Sequence, residues 1–127
     1  MKKQIFAVDF DGTCTTHDYP KIGKDIGAID VLKKLVRHGH KLILFTMRDK
    51  EQLQEAKDWF KENHIDLWAA QKNPGQWRWT TSIKPYAHIY IDDAALGCPL
   101  IENKEMSDRP FVDWKKVEEM LVSKEII

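Results

Sequence analysis

Residues 5–13 read Ile5-Phe6-Ala7-Val8-Asp9-Phe10-Asp11-Gly12-Thr13. Four apolar residues with no polar alternation predict a strand buried on both faces, as in a parallel sheet. The run stops at Asp9. Asp9 and Asp11 are two positions apart, so on an extended segment their side chains leave the same side. Gly12 then lets the chain turn closely beside them.

Outward from this strand, short apolar runs alternate with helical stripes. A polar loop from Gly12 to about Lys21 precedes a helix with Ile29, Leu32, Leu35 and Val36 on one face and Gly39 as its stop. Leu42-Ile43-Leu44-Phe45 is a second buried strand. Leu53, Ala56, Trp59 and Phe60 mark a helix ending near Asn63, and Leu67-Trp68-Ala69-Ala70 a short third strand. Residues 71–82, with Pro74 and Gly75, read as a loop, and His88-Ile89-Tyr90-Ile91 as a fourth strand. Pro99-Leu100-Ile101 fits a fifth at the sheet edge, where a proline is tolerated. Asp113 is placed to cap a last helix with Trp114, Val117 and Leu121 inward. The pattern predicts one α/β domain over 1–127, a three-layer Rossmann-like fold on a parallel sheet.

Composition narrows the function. Lys+Arg and Asp+Glu are 20 each, so the formal net charge is zero, which does not favour binding nucleic acid mainly through its phosphates. Cys14 and Cys98 match neither a disulfide framework nor a metal spacing and read as reduced thiols. No apolar stretch approaches the ~20 residues that span a bilayer, and Asp9 and Asp11 cut the first run short of a signal core. The chain reads as soluble and cytoplasmic, with no membrane partner.

The polar residues that interrupt this pattern fall at one place. Asp9 follows the first strand, Thr46 the second, and Asp92-Asp93 the fourth. In an open parallel sheet those strand ends lie side by side, along the edge where ligands bind. Converging carboxylates repel one another unless a cation is shared between them, and a hard ion such as Mg²⁺ takes oxygen ligands. A cation, a hydroxyl (Thr46) and a lysine (Lys84) are the groups that a phosphoryl centre requires.

On these residues the chain resembles the haloacid dehalogenase superfamily of phosphohydrolases. Asp9-Phe10-Asp11-Gly12-Thr13 looks like its first motif, Leu42-Ile43-Leu44-Phe45-Thr46 its second, Lys84 its third and His88-Ile89-Tyr90-Ile91-Asp92-Asp93 its fourth, in the family's order. His17 to Ile22 is similar to small bacterial members without a cap domain. The resemblance implies a phosphomonoester cleaved through an aspartyl-phosphate on Asp9, with Asp11 exchanging protons as general acid and base. It implies Mg²⁺ held by Asp9, the backbone carbonyl of Asp11 and a fourth-motif carboxylate, with Asp92 the direct ligand and Asp93 a water-mediated or orienting one. It also implies phosphoryl contacts from Thr46 and Lys84. Asp11 places the chain with the family's phosphatases or mutases, not its dehalogenases.

Neither interval between motifs holds a folded cap, so an open site is expected. That suits a macromolecular phosphate or a site closed by a second subunit, and a small phosphorylated molecule is the other substrate class. Arg48 reads either as a solvated arginine or as a substrate contact, and His17 as a possible substrate contact in its loop. Trp77 and Trp79 fit either a stacking surface for a base or sugar, or packing against the scaffold or a partner. A nucleic-acid end phosphatase is the alternative enzyme. A phosphoaccepting receiver domain is the rival from another class, but in receivers the paired acids come first and the Lys-Pro last, whereas Asp92-Asp93 follow Lys84-Pro85. Phosphotransfer to an acceptor other than water is a third possibility.

Overall fold

The structure is a computed structural model and describes residues 2–127. Four parallel strands form the main sheet: β1 (Ile5–Val8), β2 (Lys41–Leu44), β3 (Ala69–Ala70) and β4 (Ile89–Ile91), in the order β3-β2-β1-β4. Three helices, α1 (Ala28–Arg37), α2 (Lys50–Glu62) and α3 (Trp114–Ser123), complete the regular structure together with two short strands, β5 (Leu100–Ile101) and β6 (Phe111–Val112). This is the α/β, three-layer Rossmann-like architecture that the sequence predicts, and among the described residues no cap is inserted. Among the described residues no helix is long and apolar enough to cross a membrane.

Strand alternation sorts the core into two faces. Phe6 and Val8 of β1 align with Leu42 and Leu44 of β2 and with Ile89 and Ile91 of β4. Those residues share one apolar cluster with all three helices, through Leu32 and Leu35, Ala56 and Phe60, and Trp114 and Leu121. Ala7 and Ile43 point the opposite way and are equally buried, yet stand outside that cluster. Between β3 and β4 the chain passes from one edge of the sheet to the other. That crossover, residues 71–88, takes the place of the helix that a parallel connection usually supplies, and it reaches the second face at Tyr90, which aligns with Ala7 and whose ring lies 5.4 Å from the Lys84 ammonium. It is irregular throughout.

The predicted boundaries follow from local chemistry. Gly39, at φ 87°, ends α1 in a Schellman pair: its N–H bonds Val36 O at 2.9 Å, and His40 N–H bonds Leu35 O at 3.1 Å. Asp113 accepts from Lys116 N–H and starts α3. One element departs from expectation. β5 does not extend the main sheet; it pairs antiparallel with β6 in a separate two-stranded ribbon. A two-residue strand carries too little periodicity to say which sheet it joins.

Candidate active site at the carboxyl edge of the sheet

Asp9, Asp92 and Asp93 converge, with one carboxylate oxygen from each lying within 4.8 Å of the others. The parallel register causes this, because Val8 aligns with Ile91 and the next residues of both strands emerge side by side. Thr13 ties the group together. Its hydroxyl accepts from Asp93 N–H at 3.0 Å and has Asp9 Oδ2 at 3.0 Å and Asp93 Oδ1 at 3.1 Å as acceptors for its single proton. Trp114 Nε1–H donates to Thr13 O, anchoring α3 to the same turn. Asp92 Oδ1 accepts from Ala94 N–H at 2.8 Å, which orients the second carboxylate.

Crowding shows in the proton affinity of Asp9. Its carboxyl is raised from 3.8 to about 8, first by burial, then by Asp93 alongside it and the charge of Asp92; the Phe10 N–H and the Thr13 hydroxyl pull the other way. An all-oxygen set of three converging carboxylates fits a hard divalent cation.

His17 lies against this group, its Nε2 3.0 Å from Asp93 Oδ2. The contact explains Gly12, where φ is 81° and a Cβ would meet His17 Nε2 at 2.0 Å. His17 thus contacts a cluster carboxylate, and its Nε2 is already paired with Asp93. Thr46 is buried at the end of β2, with its N–H and carbonyl both bound by the Gln71 amide, at 2.8 and 2.7 Å.

Two expectations are corrected. Arg48 is neither solvated nor open to substrate: its side chain is 0% exposed. Nε and Nη2 donate to the two oxygens of Asp11, each at 2.8 Å, and the remaining N–H groups serve the carbonyls of Pro20, Lys21 and Gln52. A buried guanidinium needs that many acceptors. The Asp11 side chain, correspondingly, stands outside the carboxylate trio and faces Arg48; only its backbone carbonyl remains for the ligand role expected of it. Lys84 is not brought to Asp9: its ammonium lies 5.4 Å over the Tyr90 ring and makes no ion pair with a cluster carboxylate. Trp77 and Trp79 are 74% and 67% exposed, so the scaffold does not absorb them.

Thr13 and Gln71 had no assigned role in the sequence. Thr13 stood inside the quoted motif and could have been read as a hydroxyl beside two acids; nothing in the sequence signals the pairing of Gln71 with Thr46.

Fold and site together define an open-sheet α/β protein with an acidic centre at the carboxyl edge of its parallel sheet. No protein-family model and no curated protein matches the chain. Among solved structures it matches a conserved protein from Bacteroides thetaiotaomicron, with 34% identity and a TM-score of 0.79 over 97% of this chain and 93% of that one. The chain belongs to the family of that protein.

Proposed function

We propose that the chain is a magnesium-dependent phosphohydrolase of the haloacid dehalogenase type, cleaving a phosphomonoester through an aspartyl-phosphate on Asp9. The observation that carries this reading is the convergence of Asp9, Asp92 and Asp93 at the carboxyl edge of the sheet. An apolar core has no use for three acids there. Asp9, Asp92, Asp93 and the carbonyl of Asp11 would hold the cation. When bound, it neutralises the carboxylates and the phosphoryl oxygens.

An Asp9 oxygen attacks phosphorus as the bond to the leaving oxygen breaks. In this reading the Thr46 hydroxyl, which accepts from the Arg48 backbone N–H at 3.1 Å, donates to a phosphoryl oxygen, and Lys84 leaves Tyr90 to supply the positive charge. The leaving oxygen takes its proton from Asp11, and a water that Asp11 then deprotonates opens the acyl phosphate, restoring Asp9. Asp11 serves these steps only once released from Arg48, whose other N–H groups are held by the carbonyls of Pro20 and Lys21.

The test is phosphate release from a panel of phosphomonoesters, with Mg²⁺ and with EDTA. Release that needs the metal and disappears in Asp9→Asn supports the reading. Stable labelling of Asp9 by a small phosphodonor, with no turnover of any ester, would favour a receiver-like domain instead.

A further inference from the structure

The crossover between β3 and β4 carries more than the one lysine that the proposed chemistry uses. Residues 71–86 carry Lys72, Arg78 and Lys84 and no acidic residue, in a chain of zero net charge. All three cations are exposed. The segment has no helix or strand, yet three side-chain amides brace it. Gln71 grips the backbone of Thr46. Asn73, buried, donates to Tyr86 O at 2.8 Å and accepts from Gly75 N–H. Gln76, also buried, donates to Ser82 O and Lys84 O and accepts from Tyr86 N–H.

This bracing holds two indoles in solvent. Trp79 touches Tyr86 only edge-to-face, at 5.8 Å and 82°. Trp77 walls a cavity of about 520 Å³ that is also lined by Gln71, Lys72 and Ile83. Gln71 is the residue whose amide holds Thr46, so this groove adjoins the candidate site.

We propose that the braced segment 71–86 is a binding surface for single-stranded nucleic acid. Exposed indole faces stack on bases whatever their sequence, and interspersed cations follow the phosphates. Zero net charge argues against a wholly basic protein, but not against one acid-free segment. A symmetric contact between two copies would set Lys72, Arg78 and Lys84 against themselves, which disfavours a second chain as the occupant. Delivery of a terminal phosphate from the bound strand to Asp9 rests on the hydrolase reading; the surface itself does not.

The experiment is fluorescence anisotropy of a labelled, unphosphorylated oligothymidylate against the full chain, at two salt concentrations. Saturable binding is expected that weakens with salt and falls roughly tenfold in Trp77→Ala and in Trp79→Ala, with Phe at either position restoring most of it. Arg78→Glu should weaken it as well. No saturable binding, or binding indifferent to all three substitutions, overturns the proposal. So does a phosphopeptide of equal length that binds in place of the oligonucleotide and is lost in the same variants. Oligonucleotide binding without phosphate release would support the surface and sink the hydrolase reading, whereas ester hydrolysis without oligonucleotide binding would do the reverse.

Discussion

Arg48 and Asp11 form a two-pronged ion pair, Nε and Nη2 each 2.8 Å from a carboxylate oxygen, with the guanidinium wholly enclosed. The same side chain reaches the carbonyls of Pro20 and Lys21 and lies over the rings of Phe10 and Tyr19. One residue therefore joins the end of β2, the turn after β1 and the loop beyond it. Removing one partner of a buried pair strands the other. Arg48→Met should cost about 3 kcal/mol of unfolding free energy in urea, while Arg48→Lys should fold with a smaller loss, because a point charge keeps the charge balance but cannot hold a carboxylate bidentately. A loss below about 1 kcal/mol in Arg48→Met would mean that the pair contributes no more than an exposed one.

The raised carboxyl of Asp9 sets a pH dependence. Without metal, the folded protein holds a proton on Asp9 up to about pH 8, whereas the unfolded chain releases it near the ordinary carboxylate value. The folded state therefore binds more protons in that window, and stability falls as pH rises from about 4 to about 8. Denaturation in EDTA at pH 5.5 and pH 8.5 measures this contribution. Asp9→Asn should abolish it, and Mg²⁺ should offset it at the higher pH. A wild-type profile indistinguishable from that of Asp9→Asn would show that the three acids do not interact as their geometry implies.

Thr13 bonds Asp93 N–H while facing both the Asp9 and Asp93 carboxylates. Thr13→Val keeps the shape and leaves buried polar groups unpaired, so a stability loss of about 1–3 kcal/mol is expected, together with weaker Mg²⁺ binding by calorimetry. Thr13→Ser should retain both. Equal behaviour of Val and Ser would remove the hydroxyl from the account.

Lys84 tests whether the resting position over Tyr90 is left during reaction. Lys84→Ala touches only an exposed side chain, so the melting temperature should hold while kcat falls about 100-fold. Unchanged kcat would assign the phosphoryl charge to another residue.

Much of the fold was legible because its signals are local. Ile5–Val8 and Leu42–Leu44 are unbroken apolar runs, α1 and α2 carry full stripes, and Gly39 and Asp113 are stop and start signals with a stereochemical basis. The convergence of Asp9, Asp92 and Asp93 was legible too, since each follows a strand whose parallel register puts it there. What escaped depends on distant partners. Arg48 reads as a surface cation until its acceptors on Asp11, Pro20 and Lys21 are known. β5 found β6 and not the sheet edge because two residues carry no face pattern. The crossover from β3 to β4 is irregular and held by Gln71, Asn73 and Gln76, and amide bracing has no period to detect.

The most direct test of the central claim is to look for phosphate on Asp9. Asp11→Asn protein should be mixed with a nitrophenyl phosphate and Mg²⁺, quenched in acid, and mapped by peptide mass. The account predicts one phosphoryl group on the peptide containing Asp9, absent in EDTA and in the Asp9→Asn/Asp11→Asn double variant. Turnover in wild type with no phosphoryl-peptide in Asp11→Asn, or a phosphoryl group on any other residue, would contradict it.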